Sequence, residues 1–165
     1  MKEIISHLVS VGLKYYFIAP GSRSSPIVSA VVDNQETHRY LGIDERSLAF
    51  MALGYAKSSG LPAAVIVTSG TAVANLMPAV VEAYLSHVPM VLLTADRPFE
   101  LRDTGANQTI NQAHMFTNHI CYSCDVAPPS PDLDLRLYRA IFGRAYHMSL
   151  APKRGPVHIN IQIRQ

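Results

Sequence analysis

The sequence predicts an α/β fold: an open, mostly parallel six-stranded sheet with helices on both faces. Three observations carry that expectation. Short apolar runs alternate with segments of helical periodicity along the whole chain. One run, Ala63–Val67, is continuously apolar, the pattern of a central strand covered on both faces. The stretch that follows it, Thr68-Ser69-Gly70-Thr71-Ala72-Val73-Ala74-Asn75, reads as a small-residue turn opening a helix, an arrangement that brings backbone N–H groups to a ligand.

The elements follow in order. Ile4, Ile5, Leu8 and Val9 fall on one helical face between Met1 and Gly12, and Gly12 ends that helix. Tyr15–Ala19 is a short strand. Ser25-Pro26 opens a helix that runs to about Val32, with proline in an allowed early position. Thr37–Leu41 is a second strand. Asp44–Ser59 is a helix apolar over more than one face, which predicts burial on both sides. After the strand Ala63–Val67 come a single helix Ala72–Leu85 and a strand Val88–Leu93. Glu100–Thr117 reads as polar loop with a short helix, and His119–Val126 as a strand. Pro128-Pro129-Ser130-Pro131 is rigid punctuation before a helix Asp132–Leu150, in which Leu133, Leu137, Ala140, Ile141 and Ala145 share one side. Val157, Ile159, Ile161 and Ile163 alternate in a last strand, Pro156–Ile163.

The 165 residues suit one domain with a real core, and 48% hydrophobic against 16% charged residues argues for a folded body. So low a charge content also points to surface covered by a partner or by further chain. The net charge of +2 comes without any block of Lys or Arg, so nothing indicates nucleic acid. No apolar stretch reaches a membrane span, and residues 1–10 lack the pattern of a secretory signal. Cys121 and Cys124 stand in a C-x-x-C spacing on what reads as a strand, where they point to opposite faces. They are expected to be ordinary packed thiols, as suits a reducing cytoplasm or organelle interior.

Candidate site residues gather at the predicted turns. Glu45, beside a capping Asp44, either complements its helix dipole or offers a carboxylate to a ring nitrogen of a ligand. Gly21-Ser22-Arg23-Ser24 is either a serine-capped turn or an anion site, with Arg23 suited to bidentate carboxylate binding. Arg97, ahead of Pro98, is a second such clamp or a surface ion pair with Asp96 or Glu100. Asn107 and Gln108 either satisfy loop backbone or orient a polar substrate. Several chemistries find no support. There is no phosphate loop, no dinucleotide fingerprint, no nucleophile elbow around Ser69 and no H-E-x-x-H among the seven histidines.

Taken together, Ala19-Pro20-Gly21-Ser22-Arg23-Ser24, Asp44-Glu45-Arg46, Thr68–Asn75, Leu93-Thr94-Ala95-Asp96-Arg97-Pro98, Glu100-Leu101-Arg102-Asp103 and Gly105-Ala106-Asn107-Gln108 resemble a known pattern over roughly residues 15–118. The chain resembles the N-terminal, pyrimidine-binding domain of the MenD family, the 2-succinyl-5-enolpyruvyl-6-hydroxy-3-cyclohexene-1-carboxylate synthases of menaquinone biosynthesis. The resemblance implies a thiamine diphosphate and Mg²⁺ enzyme that decarboxylates 2-oxoglutarate and adds the succinyl-semialdehyde unit to isochorismate. It implies that Glu45 contacts N1′ of the aminopyrimidine, that Gly70 and Thr71 line its pocket, and that Ser22, Arg23, Arg97, Asn107 and Gln108 belong to the substrate site. It also implies a cytoplasmic homodimer or homotetramer.

The Gly-Asp-Gly that opens the family's diphosphate and metal site does not occur here. The expectation is therefore one pyrimidine-binding domain, residues 1–165, without the central and diphosphate-binding domains and inactive alone. Two other readings stand beside it: a domain of another thiamine-dependent enzyme resembling acetohydroxyacid synthase, and a non-catalytic dimerisation or scaffold domain.

Overall fold

In the computed structural model, which describes residues 1–130 and 134–164, six strands form one sheet in the order β2-β1-β3-β4-β6-β5. The strands are β1 (Tyr15–Ile18), β2 (His38–Leu41), β3 (Ala63–Val67), β4 (Met90–Asp96), β5 (Tyr122–Val126) and β6 (Pro156–Gln162). All five pairings are parallel, so the sheet is fully parallel and not merely mostly so. Parallel strands need crossovers, and the helices supply them: α1 (Lys2–Ser10), α2 (Ser25–Asp33), α3 (Glu45–Ser59), α4 (Thr71–Ala74), α5 (Met77–Leu85) and α6 (Leu135–Leu150). Pro131 of the proline-rich punctuation, and the expected first residues of the last helix, Asp132 and Leu133, lie outside the described residues.

Two cores result, one on each face of the sheet. Ile4, Leu8, Ile27, Phe142 and Tyr146 of α1, α2 and α6 pack on one face. Leu48, Ala52, Leu53, Val73, Val80 and Ala83 of α3, α4 and α5 pack on the other, together with Phe116. The chain turns to the first face after β1 and to the second after β2 and β3. The connections leaving the neighbouring strands β1 and β3 therefore diverge, and a crevice opens between their carboxyl ends.

Several expectations change. The single helix Ala72–Leu85 is two, because Pro78 has no N–H to meet the carbonyl of Ala74 and instead sits in the first turn of α5. β4 runs on through Thr94 to Asp96, since β6 pairs with all seven of its residues. The last strand in sequence is an inner strand, buried along its whole length, so His158, Asn160 and Gln162 face protein where alternation implies water.

α3 is buried on one face only. Leu48, Ala49, Ala52, Leu53 and Ala56 meet the sheet, while Phe50 and Met51 are 43% and 50% exposed. Cys121 and Cys124 pack on the same face, because β5 begins at Tyr122 and strand alternation does not reach Cys121. Both are free thiols, and burial pushes Cys124 up to about 11. No helix is long and apolar enough to cross a membrane, and no cluster of metal-ligating side chains occurs, among the described residues.

Candidate functional site

Turns after β1, β3 and β4 converge at the crevice. Gly21 lies so close to the turn after β3 that a Cβ there would stand 2.3 Å from the Cβ of Thr68. The next residues cap α2 through backbone, with Ser25 N–H donating to the Ser22 carbonyl at 3.1 Å and Ser24 Oγ to the Gly21 carbonyl at 3.0 Å. Ser22 itself is exposed. Arg23 is only 9% exposed, and its Nη1 donates to the Ile163 carbonyl, just past β6, at 2.7 Å. Burial first, and the nearby Arg97 guanidinium second, push Arg23 below the ordinary arginine value. Asp96 offsets part of this, and two neighbouring cations in a sheltered place favour an anion beside them.

Arg97 follows β4 directly. Its Nη1 donates to Ser69 Oγ at 2.5 Å, and its backbone N–H donates to Asp96 Oδ1 at 2.7 Å. Gln108 reaches the same turn from the loop after β4, its Nε2 donating to the Ser69 carbonyl at 2.9 Å. Gly70 has φ 80° and ψ −140°, backbone that side chains disfavour, and a Cβ there would come within 2.8 Å of Gln108 Cγ. Its N–H donates to Gln112 Oε1 at 3.1 Å, so this donor is used internally and is not offered to a ligand. Asn107 is exposed beside Gln108, and Thr71 is exposed at the start of α4.

Glu45 opens α3, half-buried, behind Asp44, whose side chain accepts from Ser47 N–H at 2.7 Å. The Ser47 side chain first, and that backbone bond second, hold the Asp44 carboxyl below its usual range. Asn75, the C-cap of α4, donates from Nδ2 to Glu45 Oε2 at 3.0 Å. No other hydrogen bond among the described residues reaches this carboxylate, and Oε1 stays open.

The structure thus joins Ser69, Gly70, Arg97 and Gln108 in direct contact, sets Arg23 beside Arg97, and ties Glu45 to α4. Three contributors escape sequence reasoning: Asn75, Gln112 and a buried network below them. In that network Asn160 accepts at Oδ1 from Thr94 Oγ1 (3.0 Å) and Gln112 Nε2 (2.8 Å), and donates from Nδ2 to Asp96 (2.8 Å) and Asp125 (2.7 Å). Arg102 bridges Asp96 and Asp125 at 2.8 and 2.7 Å. Burial alone would raise the Asp125 carboxyl; hydrogen bonds from Arg102, Asn160 and Gln162 win and hold it low.

A doubly covered parallel sheet with its polar residues gathered at the carboxyl-end crevice is the architecture of an open α/β domain that binds its ligand at the strand ends. The chain belongs to the family described as thiamine pyrophosphate enzyme, N-terminal TPP binding domain, whose pattern matches residues 1–115. Over 162 residues it is 48% identical to a 2-succinyl-5-enolpyruvyl-6-hydroxy-3-cyclohexene-1-carboxylate synthase of Rubrobacter xylanophilus, covering 98% of this chain and 28% of that one. Against the synthase of the same description from Chloroflexus aurantiacus it is 48% identical over 163 residues, covering 98% and 27%. The chain therefore spans little more than a quarter of the length of these curated relatives. A solved chain from Mycobacterium smegmatis, described as a candidate thiamin diphosphate-dependent enzyme, shares the fold with a TM-score of 0.82 at 24% identity, over 96% of this chain and 29% of that one.

Proposed function

We propose that this chain is the aminopyrimidine-binding domain, residues 1–165, of a synthase that decarboxylates 2-oxoglutarate and adds the succinyl-semialdehyde unit to isochorismate. The observation that carries the reading is the state of Glu45: a half-buried carboxylate at the carboxyl edge of the sheet, held by Asn75 through one oxygen with the other open. That arrangement fits an aminopyrimidine ring nitrogen, which needs one fixed carboxylate partner and a sheltered place. Thiamine diphosphate, when bound, supplies the electron sink for decarboxylation.

This chain's residues do the rest of the work on its side. Glu45 holds a hydrogen bond, and with it a proton, at N1′ of the ring. Asn75 keeps that carboxylate aimed. Gly70 and Thr71 line the ring's pocket, Gly70 by shape and not by its engaged N–H. Arg23 and Arg97 hold substrate carboxylates, while Ser22, Asn107 and Gln108 orient the polar groups of 2-oxoglutarate and isochorismate. Mg²⁺ and the diphosphate belong to a further domain of the complete protein, which works as a homodimer or homotetramer in the cytoplasm, and residues 1–165 alone are inactive.

The test is turnover of the complete protein on 2-oxoglutarate and isochorismate. Glu45→Gln, which keeps size but removes the charge, is expected to lower kcat about 100-fold or more while circular dichroism stays that of the wild type. Near-normal turnover removes Glu45 from the chemistry. Turnover of pyruvate without isochorismate replaces the substrate assignment.

A further inference from the structure

Gln112 is fully buried in the loop between β4 and β5, and every hydrogen-bonding atom of its amide is used. Oε1 accepts from Gly70 N–H at 3.1 Å; Nε2 donates to the Ala95 carbonyl at 2.9 Å and to Asn160 Oδ1 at 2.8 Å. A primary amide has two N–H groups, and these two acceptors account for both. The orientation of the amide is therefore fixed from the sheet upward, by β4 through Ala95 and by β6 through Asn160.

What it holds is one peptide group. The carbonyl of Ser69 and the N–H of Gly70 belong to the same planar unit. Gln108 donates to the carbonyl edge at 2.9 Å and Gln112 accepts from the N–H edge. Two glutamines of one loop, four positions apart, clamp that plane from both edges. The clamp matters because glycine at 70 sits at φ 80°, ψ −140° and leaves the plane free to turn. The side chain of Ser69, on the same short turn, receives Arg97 at 2.5 Å. A rotation of the 69–70 peptide would turn the Ser69 carbonyl away and break the Gln108 contact, while the Ser69 hydroxyl that receives Arg97 stays on its Cα.

We propose that Gln112 is a positioning residue: it locks the Ser69–Gly70 peptide and so aims Gln108, held by the Ser69 carbonyl, at a polar group of a carboxylate substrate. The proposal rests on the assignment of Gln108 to substrate, and its test separates the two ideas. Gln112→Met keeps volume and removes all three hydrogen bonds. Phe142→Leu, in the core on the opposite face of the sheet, serves as the control for general loss of stability.

In this chain, hydrogen exchange by NMR is expected to show the Gly70 amide protected in the wild type. Gln112→Met should speed that exchange about 10-fold or more and shift the Gln108 carboxamide signals, the change expected when a buried hydrogen bond is lost. Phe142→Leu should move neither. In the complete protein, Gln112→Met should raise KM for the carboxylate substrate about 10-fold with kcat changed less than about 3-fold, a split that loss of fold alone does not produce. A Gly70 amide that exchanges as an open turn in the wild type overturns the lock without any variant, even if Gln112→Met does not fold. Unmoved Gly70 and Gln108 signals in a folded Gln112→Met overturn it too. Moved signals with unchanged KM overturn the aiming role. Absence of wild-type turnover on 2-oxoglutarate and isochorismate sinks the assigned reaction, while the exchange data still decide the lock.

Discussion

A carboxylate at a helix start is common; one steadied by a second helix is less so. Asn75 Nδ2 reaches Glu45 Oε2 at 3.0 Å, and that single contact decides where the free oxygen points. Asn75→Ala in the complete protein is therefore expected to lower kcat about 10-fold, less than Glu45→Gln, because the charge remains and only its aim is lost. Steady-state kinetics on both variants checks the ranking; equal losses would mean that Asn75 does more than aim. Arg23 and Arg97 should behave differently from Glu45. Arg23→Ala or Arg97→Ala is expected to reduce kcat/KM for carboxylate substrates about 100-fold, mostly through KM, as expected when a charged hydrogen-bond donor to a buried anion is removed. Unchanged kinetics in both variants removes the clamp. At this scale the sequence spoke clearly where a residue type is rare in its place, as with Arg23 before a helix or Arg97 after an apolar strand. It was silent on Asn75 and Gln112, since a loop amide that satisfies backbone and one that aims a neighbour have the same composition.

Turns, more than helices or strands, position these groups, and the closest approach is between two of them. The turn after β1 meets the turn after β3 at Gly21, where a Cβ would stand 2.3 Å from the Thr68 Cβ and 2.7 Å from its methyl. Gly21→Ala must push the turns apart. It is expected to destabilise the fold by about 1–3 kcal/mol, measured by urea denaturation, with Arg23 displaced along with its turn. A variant as stable as the wild type would mean that the crevice is softer than its packing indicates. Most elements were legible because period and length agree, as in Ala63–Val67. The exceptions have local causes. Pro78 divides one expected helix into two. β6 looks one-sided because Asn160 and His158 alternate with isoleucine and valine, yet those polar residues face a hydrogen-bonded interior. Alternation reports which face is apolar, not which face is wet.

The whole molecule carries that interior as a pH dependence. Thr94 Oγ1 gives its proton to Asn160 Oδ1, so it accepts from Nε2–H of His158 at 2.7 Å. His158 Nδ1 is then a bare acceptor with no partner among the described residues. Protonating it would bury an unpaired charge, and burial lowers the imidazole to about 4. The unfolded chain, with an ordinary histidine near 6.5, binds the proton more readily. Stability from this group is thus complete above about pH 6.5 and falls as the pH drops toward 4, by a few kcal/mol. His158→Gln should flatten the decline between those values in denaturation curves; an unchanged slope assigns the acid sensitivity elsewhere. The strand order has a different consequence, for synthesis. Among the described residues β5 has only β6 as a neighbour, and β6 follows β5 in the chain. A nascent chain emerging from the ribosome can assemble β1 to β4, but β5 must wait with its backbone unpaired until residues 156–162 slide in between it and β4. β6 is a keystone, and the polar network that underlies the site cannot exist before it arrives.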